Sequence, residues 1–119
     1  MKLVISAEGP GPYDKVDMRF GRAPFLVVYD MDNVSFSPLE NSAQVEAARG
    51  AGIQTAQRVA ELGAEILLSG HCGPKAFAVL AEAGVEIFTC REGTVLNAVR
   101  AWQEGVLEPL TGPDRAMHH

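Results

Sequence analysis

His71 and Cys72 are adjacent in the segment Ile66-Leu67-Leu68-Ser69-Gly70-His71-Cys72-Gly73-Pro74-Lys75-Ala76. An imidazole and a thiolate are ligands for soft and borderline metals and good contacts for metal–sulfur clusters. Pro74 follows at once, and proline favours the first position of a helix. The glycine loop therefore brings both side chains to a helix N-terminus, where outward-pointing N–H groups favour an anion. Beside Lys75, the Cys72 thiol is biased towards thiolate. This chemistry points to a small carrier of an anionic metal cluster rather than to a hydrolase. Plainer readings stand beside it: Cys72 as a small thiol packed under the loop, His71 as a cap on a backbone carbonyl.

Other residues bear on the same chemistry. Cys90 ends an apolar run and reads first as a buried structural thiol, with a second thiolate as the alternative. With Cys72 and Cys90 as the only cysteines and His71 the only histidine outside the terminal pair, a four-thiolate iron–sulfur site cannot be completed. A preassembled anionic cluster needs fewer covalent ligands. Arg19, Arg22 and Lys75 are the candidate cations for it. Arg22 could equally pair with a carboxylate such as Asp30, and Met18 could offer a thioether or fill the core. Asp14, Asp17, Asp30 and Asp32 are scattered over loops and strand ends, which disfavours a metal-dependent nuclease. The Gly/Pro loop Glu8–Asp14 lacks the spacing of a phosphate cradle and reads as a rigid rim.

The elements that must position these residues follow from periodicity. Lys2–Ala7 alternates as a strand, Phe25–Met31 is a buried strand, and Val34–Glu40, with Pro38, is an edge strand completing a hairpin. From Gly50, residues Ile53, Ala56, Val59, Ala60 and Leu62 recur at helical spacing up to Gly63. Ala64–Ser69 is a strand. A helix from Pro74 buries Ala76, Phe77, Leu80 and Ala81 and stops at Gly84. Val85–Cys90 is the next strand. Thr94 caps a last helix carrying Val95, Val99 and Trp102 and ending at Gly105. The predicted order is β-β-β-α-β-α-β-α: an α/β three-layer domain with a mixed five-stranded sheet over residues 1–107 and a flexible tail over 108–119. Ligands of such sheets bind beyond the carboxyl ends of the parallel strands, where Cys72 and Cys90 should lie.

Composition sets the outer bounds. The net charge of −5 disfavours nucleic-acid binding, which ordinarily needs a basic face. No signal peptide and no apolar run of membrane-spanning length is visible, so a cytoplasmic protein is expected. His118 and His119 are set aside as a possible cloning remnant.

The chain resembles the dinitrogenase iron–molybdenum cofactor biosynthesis proteins. The resemblance is carried by Phe20-Gly21-Arg22-Ala23-Pro24-Phe25 ahead of a strand ending in Tyr29-Asp30, and by Gly50-Ala51-Gly52-Ile53-Gln54. It continues through Gly70-x-x-Gly73-Pro74-x-Ala76 and Thr94-Val95, so from Met1 to about Leu107. It implies a ribonuclease-H-like fold and the binding, carriage or assembly of molybdenum- and iron–sulfur cofactors. Small stand-alone members include the orange proteins, which carry a molybdenum–copper sulfide cluster. The resemblance implies a non-enzymatic protein whose partners are the cluster and its donor or recipient proteins, acting as a monomer or weak homodimer. Two alternatives stay open: a metal-free interaction module of the same fold, and a thiol redox protein using Cys72 and Cys90.

Overall fold

The computed structural model describes residues 1–41, 51–91 and 93–111. In chain order the elements are β1 (Lys2–Ala7), a 3-10 turn (Phe20–Arg22), β2 (Phe25–Asp30), β3 (Ser35–Glu40), α1 (Ala51–Glu61), β4 (Ile66–Ser69), α2 (Pro74–Glu82), β5 (Glu86–Thr89), α3 (Val95–Gln103) and β6 (Glu108–Pro109). Gly50, expected to open the first helix, lies outside the described residues.

The strands form one mixed sheet in the order β3-β2-β1-β4-β5-β6. β1, β4 and β5 are parallel, with Leu3 opposite Ile66 and Ile66 opposite Glu86. β2 and β3 form the expected antiparallel hairpin, in which the rings of Tyr29 and Phe36 pair across the strands at 4.7 Å. Among the described residues the sheet has six strands, which corrects the expectation of five. The extra strand, Glu108–Pro109, falls in the segment read as a loose tail. Its pairing with Phe88 and Thr89 covers part of the open β5 edge. Two residues carry no periodicity, so no pattern in the sequence could announce it.

Strand alternation divides the core between the two faces. Leu3, Ile5, Ile66 and Leu68 pack with Val95, Ala98 and Val99 of α3. Val4, Leu67 and Ile87 pack with Ala56 and Val59 of α1 and Ala76 and Leu80 of α2. Each fully buried aliphatic side chain contributes about 2 kcal/mol of hydrophobic free energy. Helices on both faces explain why β1 and β4 are apolar runs rather than half-polar strands. With both faces covered, the carboxyl ends of β1, β4 and β5 are left as the place where loops gather.

Candidate functional site

The β4–α2 loop is held in place by the segment that precedes the 3-10 turn. His71 N–H donates to Met18 O at 2.7 Å, and Phe20 N–H donates to His71 O at 3.3 Å. These two bonds make a short parallel bridge between Arg19 and His71. The approach is so close that a Cβ on Gly70 would lie 2.6 Å from Met18 Cα and 2.7 Å from Met18 O. Only glycine fits there. Gly21 makes a second close approach, since a Cβ on it would lie 2.7 Å from Gly52 Cα. The 3-10 turn is thereby pressed onto the first turn of α1.

Buried polar groups hold the base of this assembly. Ser6 Oγ donates to Asp17 O at 2.8 Å and pairs with Ser69 Oγ at 2.7 Å. With the Ser6 hydrogen committed to Asp17, Ser69 must be the donor in that pair. The Asp17 carboxylate accepts the Arg19 backbone N–H at 2.9 Å and Arg19 Nε–H at 3.4 Å. On the other side, Asn41 Nδ2 donates to Ala23 O at 2.8 Å and to Thr55 Oγ1 at 3.2 Å, which fastens the chain after the 3-10 turn to α1.

These fastenings enclose an open cavity of about 560 Å³. Its walls come from the 3-10 turn (Phe20, Gly21, Arg22), α1 (Ala51, Gly52, Ile53) and the start of α2 (His71, Gly73 to Ala76). Three of the expected site residues, Arg22, His71 and Lys75, line it together, and all three are exposed. No carboxylate lines it among the described residues. The floor is the N-terminus of α2. Gly73 is the N-cap and offers no side-chain cap, and Pro74 follows it. The first-turn N–H groups add partial positive charge to that of Arg22 and Lys75. The arrangement attracts an anion, presents His71 as a ligand or hydrogen-bond donor, and leaves a wide mouth.

The two remaining candidates lie elsewhere. Arg19 is turned to Asp17 in an ion pair and does not line the cavity. Cys72 is 2% exposed and packs in the core with Phe20, Leu67, Ala76 and Leu80. Its neighbours His71 and Gly73 are on the cavity wall, and Cys72 itself is not. Cys90 is buried in the opposite core, under α3. Loss of solvation raises its thiol from 9.0 to about 11. The cysteines thus lie on opposite faces of the sheet and form no disulfide. Among the described residues no group of three or more His, Cys, Asp or Glu side chains could hold a metal ion. Nor is any helix among the described residues long and apolar enough to cross a membrane.

Ile53, which the sequence places at helical spacing with Ala56 and Val59, is a cavity wall. Ser6, Ser69, Asn41 and Thr55 carried no signal, because their polar partners are distant in sequence. The Phe20-Gly21-Arg22 run and the Gly70 and Gly73 spacing were the legible marks of this site.

Comparison with known proteins places the chain among relatives of the same length. The family described as dinitrogenase iron-molybdenum cofactor matches residues 1–105. The apo form of the orange protein from Desulfovibrio gigas is 39% identical and superimposes with a TM-score of 0.91, covering 95% of each chain. A Thermotoga protein assigned to the DUF35 family is 32% identical with a TM-score of 0.84, covering 97% of each chain. An uncharacterized protein of Methanocaldococcus jannaschii is 22% identical over 111 residues, 91% of this chain and 90% of the relative.

Proposed function

The chain belongs to the dinitrogenase iron–molybdenum cofactor family, and from that premise we propose that it binds and hands on an anionic molybdenum-containing metal–sulfur cluster at the cavity ahead of α2. The observation that carries this reading is the convergence of Arg22, His71, Lys75 and an uncapped helix N-terminus on one open cavity that no carboxylate lines among the described residues.

The charges supply attraction without a fixed coordination geometry. His71 offers the one soft nitrogen on the wall. Cys72 supports the floor by packing, since its burial keeps the thiol off the wall. A site with so few covalent ligands releases its cargo readily, which suits carriage better than storage. The role is transport or assembly without chemical turnover, and donor or recipient proteins would meet the cluster at the open mouth. The ribonuclease-H-like reading of the fold is supported by a hairpin joined to a parallel half with helices on both faces. Of the cargoes that the family resemblance implies, a molybdenum–copper sulfide is the natural first probe.

The test is an anaerobic mixture of the protein with tetrathiomolybdate and copper(I), followed by gel filtration, a visible spectrum and elemental analysis. Co-eluting colour with stoichiometric molybdenum and copper is expected from the unmodified chain and from Cys72→Ala. Uptake should fall about tenfold or more in the Arg22→Met, Lys75→Met double variant, as removal of two charge-assisted contacts implies. A colourless, metal-free peak from the unmodified chain would sink this cargo. Loss of uptake in a folded Cys72→Ala variant would return the thiol to the ligand set.

A further inference from the structure

The cavity wall holds two kinds of group that answer different questions. Arg22, His71 and Lys75 explain why an anion is attracted. They do not explain why one anion is taken over another, and inorganic oxoanions carry the same charges. The rest of the wall is apolar or glycine, and no serine, threonine, asparagine or glutamine lines it among the described residues. Ile53 is the telling residue. It is a large, half-buried aliphatic side chain that belongs to neither core cluster and is not packed against either. Neither core cluster of the described residues accounts for it, and it faces the cavity.

We propose that Ile53 makes the cavity selective for sulfide-covered anions over oxoanions of the same charge. This rests on the reading that the cavity binds a thiometallate. Oxygen ligands are small, hard and strongly hydrated. Pressed against the sec-butyl side chain of Ile53 they lose water without gaining a donor, which is costly for a charged group. Sulfide ligands are larger and softer, hold their water weakly, and lie against methyl groups at little cost. The apolar wall therefore acts against the wrong anion more than for the right one, which is how specificity is commonly built. The cations set the affinity and Ile53 sets the ratio.

The experiment is equilibrium dialysis of the protein against tetrathiomolybdate and, separately, molybdate under anaerobic conditions, with molybdenum measured on both sides. The unmodified chain should favour tetrathiomolybdate by about tenfold or more. Ile53→Gln should lower that ratio about tenfold while circular dichroism stays native, and Ile53→Val should restore it. Lys75→Met should weaken both anions by a similar factor. Equal binding of the two anions by the unmodified chain overturns the selectivity and leaves the cluster-binding reading standing. An unchanged ratio in folded Ile53→Gln overturns the role of Ile53. Failure to bind tetrathiomolybdate at all overturns the cluster-binding reading itself. The measurement on the unmodified chain decides the selectivity even if the variant does not fold.

Discussion

Helices α2 and α3 both begin at the carboxyl edge of the sheet, and their first turns are treated in opposite ways. The start of α3 is sealed. Thr94 Oγ1 accepts from Asn97 N–H and Asn97 Oδ1 accepts from Thr94 N–H, both at 3.1 Å, completing a capping box. Val95 N–H donates to Asp14 O at 2.9 Å and Leu96 N–H to Pro12 O at 2.8 Å. The Gly/Pro loop considered for a phosphate cradle is in fact the lid on this helix. The start of α2 has a glycine cap, a proline and an open cavity. A helix terminus is thus a structural joint where its donors are consumed by the chain, and a candidate anion site where they are left facing outward. Sequence signals separate the two: Thr-x-x-Asn for closure, Gly-Pro-Lys for openness.

The contrast can be broken from beneath, and this should have the largest effect. Gly70→Ala forces a methyl group into the Met18 backbone at 2.6 Å. A stability loss of about 3 kcal/mol in denaturant unfolding is expected, the range for overpacking. A loss within error of zero would mean that the Met18 segment is free to move. Next, α2 can be made to resemble α3. Gly73 has extended backbone at φ −69° and ψ 169°, and nothing lies within 4 Å of an added Cβ. Gly73→Asp should therefore cap α2 and raise stability by a few tenths of a kcal/mol, about what a Gly-to-Asp cap change gives. Its carboxylate occupies the anion's place, so tetrathiomolybdate affinity should fall about tenfold or more. Unaltered affinity would mean that the α2 terminus takes no part in binding.

The converse change should be smaller. Thr94→Ala opens α3 and should cost about 1 kcal/mol, leaving tetrathiomolybdate binding untouched. A matching fall in binding would show that the two termini are not independent. The smallest effect concerns the core beneath α3. Burial holds the Cys90 thiol at about 11, above its ordinary 9.0, so the folded state favours the neutral form. The unfolded chain gives up this proton first. Its contribution is therefore intact below pH 9.0 and is lost as pH climbs towards about 11. Thermal unfolding should show an alkaline decline over that window that is shallower in Cys90→Ala. Identical slopes would assign the decline to other groups.

Much of the fold is legible because each signal is local. Lys2–Ala7, the Phe25 hairpin, Pro74, Thr94 and the glycines after each helix are read within a few residues of where they act. Part of the candidate cavity is legible for the same reason: Arg22, His71 and Lys75, which line it, stand in motifs with recognisable glycines. Cys72 differs from its neighbour: His71 lines the cavity, and Cys72 is buried in the core with Phe20 and Leu80. The turn into α2 points alternate residues to wall and core, and Cys72 goes to the core.

The sequence by itself determined the α/β class, the hairpin, the parallel half and the family. These depend on periodicity and on capping and turn residues, all properties of short stretches. Only the tertiary structure decided that Cys72 and Cys90 face opposite layers, that β6 guards an edge, and that Ile53 lines a cavity. Each of these is settled by a partner far away in the chain, and which distant partner a side chain meets is fixed by packing.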